Sequence, residues 1–257
     1  MDYLAMVVAI VVLGILYKRM IDREVPEKIT TLQALVPVGL GVVSLGLSFL
    51  FMIGSGLLLS MTGYVRDANP VWVQSIVAAF TVAGFPEELA KWLMIAITLI
   101  LFHKKVDNVY EYALAGAAVG AGFTVFEEFL YGSDGLIIIL FRLILIAIHM
   151  ICGILMGYYL GKAKVQRVSG KGLGLVNYIL AFIIPIALHT IHDATTGMNF
   201  YLLSDDASLE DTGIIIGIVG TIIFFAVQFT VLRQFKKNAE KLSMLKTKSP
   251  SDTCPNK

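Results

Sequence analysis

Apolar residues in this chain come in long unbroken runs separated by short polar stretches, with neither a strand-like nor a surface-helix period. The runs cover approximately 2–17, 32–61, 71–102, 109–131, 136–161, 173–193 and 212–233. About 20 such residues cross a bilayer core of ~30 Å as a helix, so the pattern predicts seven transmembrane helices. The third run contains Pro86. Proline lacks the backbone N–H and its ring collides with the preceding turn. The pattern therefore predicts a tilted or interfacial piece over 71–85 and the helix proper over 87–102. Glycines recur every four residues at Gly116 and Gly120, and at Gly153, Gly157 and Gly161. That spacing predicts helices packed at close range.

Composition narrows the class. Of 257 residues, 57% are hydrophobic and 15% charged, against roughly 25% charged in a soluble domain. An ordinary water-soluble enzyme is excluded. With 20 basic against 19 acidic residues and a net charge of +1, so are a disordered chain and a nucleic-acid-binding module. Runs of this length exclude a β-barrel. The expected fold is an all-α polytopic membrane protein of one domain over residues 1–235. A basic cytoplasmic tail, 236–257, is expected as a frayed helix end followed by disorder. Cys152 lies in an apolar run and Cys254 in the tail, so no disulfide framework is implied.

Basic residues give the orientation. Segments 18–31, 103–108, 162–172 and 233–257 hold 4, 2, 4 and 7 Lys and Arg, while 62–70, 132–135 and 194–211 hold 1, 0 and 0. By the positive-inside rule the N-terminus is outside and the C-terminus cytoplasmic. The first run reads as an uncleaved helix, because Asp2 precedes it and Lys18, Arg19 and Arg23 follow it.

Against that background the ionisable residues within the runs stand out, since each costs ~2.5–3.5 kcal/mol on insertion scales. They are Glu87, Glu88 and Lys91 in the third run, Glu127 and Glu128 in the fourth, Arg142 and His149 in the fifth, and His189, His192 and Asp193 in the sixth. Helical rise places Glu88, Glu127, His149 and His189 about 20–28 Å from the inner edge. The four converge on one layer in the outer half of the membrane, as if lining a polar cavity open to that side. Glu87 and Lys91, Phe123 and Glu127, and His189 and Asp193 are each four apart and share helix faces.

These residues carry a resemblance. Glu87-Glu88-Leu89-Ala90-Lys91 matches EExxK, Phe123 to Glu127 matches FxxxE, and His189 to Asp193 matches HxxxD. In this order the chain resembles the PrsW family of bacterial intramembrane proteases, related to CAAX-type prenyl endopeptidases and bacteriocin-processing membrane enzymes. The resemblance covers about 70–195, including the segment from His149 to Lys162. It implies a multi-pass protein of the bacterial cell membrane that makes the site-1 cut in the extracytoplasmic part of a membrane-anchored anti-sigma factor. A site-2 protease then completes release of the sigma factor in a stress response. By carry-over Glu87, Glu88 and His189 lead the catalytic set, with Glu127, His149 and Asp193 completing it and Lys91, Phe123 and Arg142 in support.

Peptide hydrolysis needs a base for water, a donor for the oxyanion and an acid for the leaving amine. No Ser/His/Asp triad assembles, and Cys152 shares a helix with His149 without an orienting group. The expected mechanism is carboxylate-based. Glu88 activates water, Lys91 holds Glu87, and His189, oriented by Asp193, contacts the oxyanion. HExxH is absent, so the expectation is hydrolysis without a strict need for zinc; if a metal binds, its ligands would be His149, His189 and Glu127. Glu128 reads as interfacial and His192 as structural. The alternatives are a proton-coupled transporter or channel built on the same Glu, His and Lys residues, and a non-catalytic scaffold for another membrane protein.

Overall fold

The computed structural model describes residues 3–24, 29–130, 143–197 and 210–248. Among these it forms eight α-helices: α1 (Leu4–Ile21), α2 (Thr31–Met61), α3 (Val71–Ala79), α4 (Phe85–Leu101), α5 (Val109–Leu130), α6 (Ile148–Val168), α7 (Leu175–His192) and α8 (Glu210–Ser243). Five stretches are long and apolar enough to cross a membrane: α1, α2, α5, 175–196 and 211–243. The other two predicted spans are broken or less apolar. Residues 71–101 divide at a π-helical turn, Phe80–Gly84. A proline ring at 86 clashes with the carbonyl four residues back in an α-helix, and the wider turn relieves that clash. The predicted span 136–161 becomes a turn at 145–147 followed by α6, which runs on to Val168 through Lys162, Lys164 and Arg167. The start of that span, with Arg142, lies outside the described residues.

The burial pattern inverts that of a soluble protein. On α2 the serines Ser44, Ser48 and Ser55 are buried while Leu50, Leu57 and Leu58 are exposed. Ile215, Ile222 and Phe225 of α8 are likewise exposed. Such faces suit hydrocarbon and not water.

The central helix is α5, which α1, α2 and α6 surround. Its junction with α6 is built on glycine. A methyl group on Gly116 would meet the backbone of Gly153, and one on Gly157 would lie 2.9 Å from the Ala113 Cα. On the opposite flank Gly122 abuts Val38 of α2. Small residues thus bring three backbones into contact and fix the helix ends with little slack.

The tail departs from expectation. Phe235, Ala239 and Leu242 continue the helical period beyond the membrane run and bury themselves among α1 and α5 residues. Beyond α8 the Thr247 amide donates to the Asp107 carbonyl at 2.6 Å, and Lys246 pairs with the Asp107 carboxylate at 3.0 Å. The chain is therefore docked as far as 248 rather than frayed. The remainder, with Cys254, lies outside the described residues.

Candidate active site

Helix ends from four parts of the chain meet at one end of the bundle. Glu87, Glu88 and Lys91 occupy the first turns of α4, where the helix dipole favours carboxylates. Glu127 lies near the end of α5 and His149 in the first turn of α6. His189 is in the last turn of α7, and Asp193 opens the π-helical segment Asp193–Gly197. The two π-helical segments are tied together: the Ser75 hydroxyl, five residues before the first, donates to the Ala194 carbonyl in the second at 2.8 Å. Both breaks in α geometry therefore flank site residues, as π-bulges often do.

Each histidine is held by a carboxylate on one ring nitrogen. His149 Nε2 lies 2.7 Å from Glu127 Oε2, and His189 Nδ1 lies 2.7 Å from Glu88 Oε1. The opposite nitrogens, His149 Nδ1 and His189 Nε2, each lie 3.8 Å from Glu87 Oε2. Lys91 is wholly buried and joins the two halves. Its Nζ is 2.6 Å from Glu88 Oε1, 2.8 Å from His149 Nδ1, and 4.1 Å from the centre of the Phe123 ring. Asp193 Oδ2 faces His189 Nε2 at 3.4 Å while its other oxygen takes His192 Nδ1 at 2.7 Å.

With neutral imidazoles donating their ring N–H groups to Glu88 and Glu127, the inner nitrogens carry lone pairs: that of His149 meets the Lys91 ammonium at 2.8 Å and that of His189 faces Glu87 at 3.8 Å. Glu87 Oε2 is itself buried without a hydrogen-bond partner. Ligand atoms of Glu87, His149 and His189 all lie within 4.8 Å of one another. The Lys91 ammonium covers His149 Nδ1 at 2.8 Å, but Glu87 Oε2 and His189 Nε2 face each other at 3.8 Å with no donor between them, and buried acceptors that converge in this way suit a cation. Two imidazoles and a carboxylate, with each imidazole braced by a second carboxylate, form a donor set that suits zinc and its neighbours. The residues fit a metal.

The profile described as "PrsW family intramembrane metalloprotease" matches residues 32–231. The chain belongs to this family. Curated relatives named Protease PrsW include those of Halalkalibacterium halodurans, 33% identical over 129 residues and covering 49% of this chain and 55% of the relative. That of Bacillus subtilis is 30% identical over 146 residues, 54% of this chain and 65% of the relative. That of Oceanobacillus iheyensis is 33% identical over 119 residues, 46% of this chain and 53% of the relative. The chain thus matches between about half and two thirds of the length of these relatives. No solved structure matches.

The PrsW match extends beyond the motif region into α2 and α8, which carry no motif by eye. The structure brings Glu87, Glu88, Lys91, Phe123, Glu127, His149, His189 and Asp193 together. It reverses three details. Lys91 makes its short contact with Glu88 and reaches Glu87 only at 3.6 Å, because i, i+3 places Glu88 over it more closely. Glu127 hydrogen-bonds His149 Nε2, and the carboxylate whose oxygen gathers with both histidines is that of Glu87 rather than the expected Glu127. Glu128 is buried rather than interfacial. His192, read as structural, lies directly behind Asp193 with its Nε2 unpartnered. Sequence reading also missed Gln228 of α8. Its side chain accepts from the Ala147 amide at 2.8 Å and donates to the Ile144 carbonyl at 3.3 Å, pinning the turn just before His149. A lone glutamine in an apolar run was the available signal.

Proposed function

We propose that the chain is an intramembrane endopeptidase whose centre is Glu87, His149 and His189. The observation that carries this reading is the double brace: Glu127 on one histidine, Glu88 on the other, and both inner nitrogens 3.8 Å from one oxygen of Glu87. A divalent metal held there would supply Lewis-acid polarisation of a peptide carbonyl and an activated water. The chain's own groups do the rest. Glu127 and Glu88 fix the histidine tautomers, so each inner nitrogen keeps its lone pair. Lys91 neutralises Glu88, and were a metal held by Glu87, His149 and His189, the Lys91 ammonium would stay on Glu88 and the Phe123 face.

Asp193 is the carboxylate beside these donors that braces neither outer histidine nitrogen. It is placed to take a proton from the attacking water and pass it to the leaving amine, with His192 holding its far oxygen. The assignment of Glu88 as the water-activating base is less well supported by this geometry, because Glu88 is fully buried between Lys91 and His189.

The substrate in this reading is a membrane-anchored anti-sigma factor of the bacterial cell membrane, cut in its extracytoplasmic part before a site-2 protease acts. The distribution of basic residues supports an outward-facing site, with the N-terminus outside. The transporter reading loses ground, because among the described residues the buried ionisable groups of the spans gather toward one end of the bundle and do not form a path across it. Co-expression with candidate single-span anti-sigma factors tests the reading. A shortened extracytoplasmic fragment should appear with the parent and vanish with Glu87→Gln. A fragment of unchanged size and yield in that variant refutes it.

A further inference from the structure

A concave feature runs from the middle of α4 toward the end of the bundle opposite the candidate active site. Trp92, Ala96 and Leu99 lie along one stripe of α4, and with Tyr112 of α5, Leu160 and Lys164 of α6 and Tyr178 of α7 they line a groove of about 220 Å³. The groove starts at Trp92, five residues along α4 from Glu87 or ~8 Å, and runs to Leu99, twelve residues or ~18 Å away, while Lys164 is fifteen along α6 from His149, or ~22 Å. Its charged end is therefore well removed from the candidate active site. Its lining is aromatic and aliphatic, with one cation, Lys164, and no carboxylate.

Two features of the surroundings identify an occupant. The groove lies among helices that the exposed apolar faces place in a bilayer, so an apolar recess there takes up hydrocarbon and not water. The helix ends beside it carry Lys104, Lys105, Lys162, Arg167 and Lys171, an excess of positive charge at the level of lipid headgroups. Tyr112 and Tyr178, near the starts of α5 and α7, lie at the level that tyrosine favours. Basic pockets between transmembrane helices are suited to anionic headgroups.

We propose that this groove is a binding site for an anionic glycerophospholipid, with the phosphate on Lys164 and an acyl chain along Trp92, Ala96 and Leu99. The chain has two tryptophans, so Trp72→Phe leaves Trp92 as the single fluorophore. That protein, in nanodiscs, is titrated with phosphatidylglycerol or phosphatidylcholine brominated on the acyl chain, and quenching of Trp92 is followed. The brominated phosphatidylglycerol should reach half-quenching at about one fifth of the mole fraction, the preference expected of one lysine near a headgroup. Lys164→Gln should abolish that preference, whereas Lys162→Gln, whose ammonium lies over the Tyr158 ring at 5.2 Å, should keep it. Ala96→Phe, which fills the groove, should lower quenching by both lipids. The proposal is overturned if the two headgroups quench equally, or if neither quenches, which would mean that something other than lipid fills the groove. It also falls if the preference survives Lys164→Gln. The parent comparison needs no lining variant and stands even if one of them misfolds.

Discussion

Gly120 controls the geometry of the active site from outside it. A methyl group there would lie 2.6 Å from the His149 carbonyl carbon and 2.7 Å from the Met150 Cα, where ordinary contact begins at 3.4 Å. Both neighbours are backbone, so no rotamer change relieves the clash, and the start of α6 must retreat by roughly 1 Å. The bond that spans this junction is the 2.7 Å contact between Glu127 on α5 and His149 on α6. Stretched by that much it ceases to be a hydrogen bond, and His149 loses its brace. Overpacking of this kind costs about 1–3 kcal/mol, while a 1 Å misplacement in a catalytic site costs on the order of 100-fold in rate. Gly120→Ala should therefore lose activity far out of proportion to its stability. Cleavage rate and thermal midpoint in detergent are measured beside Gly54→Ala, a site with nothing within 4 Å. That control should match the parent in rate and gain up to about 1 kcal/mol, since alanine is the better helix former. Parent-like cleavage by Gly120→Ala would refute the close-packing account of how the site is held.

Other consequences are separately measurable. Lys91→Met leaves the buried Glu88 carboxylate without its partner and should cost about 3–5 kcal/mol in detergent unfolding, with Glu88→Gln in the same chain recovering most of it; additive losses would contradict the pairing. Glu127→Gln should weaken zinc affinity by about 10–100-fold through loss of the brace on His149, read by chelator competition. Glu24 lies just beyond α1, outside the membrane. Burial, with the facing Glu111 carboxyl adding to it, pushes its pKa from the ordinary 4.5 up to about 8. The folded protein then holds a proton that the unfolded chain has released, so stability falls as pH rises from about 4.5 to about 8. Glu24→Gln should flatten that slope of thermal midpoint against pH, and an unchanged slope would rule out Glu24 as its source.

Long apolar runs made α1, α2, α5, α7 and most of α8 legible, because the bilayer demands length and apolarity before anything else. The π-helical turn at 80–84 was half visible: Pro86 announced a break, but not that the chain would widen instead of kinking. The docked tail was hidden, since Phe235, Ala239 and Leu242 lie among lysines and their burial depends on α1 and α5 supplying the other side. In the candidate site, motif order and helical depth brought together residues that the structure also gathers in one place. Pairing within it was not readable. Which of Glu87 and Glu88 faces the histidines depends on the rotation of α4, and which nitrogen of His149 meets Glu127 depends on the α5–α6 distance that the glycines set. The proposal of a metal centre over a metal-free site rests on those same contacts.

The account rests most heavily on Glu87, His149 and His189 forming one metal-binding catalytic centre. Purified protein in detergent is stripped with a strong chelator, reloaded with graded zinc, and assayed for bound metal and for cleavage of a peptide spanning the cut. The account predicts that cleavage is lost on stripping and returns as zinc approaches about one equivalent per chain. It also predicts that Glu87→Gln, His149→Ala and His189→Ala each lose both the metal and the activity. Full cleavage by the stripped enzyme, or one tightly bound zinc retained in the His149→Ala/His189→Ala double variant, would contradict it.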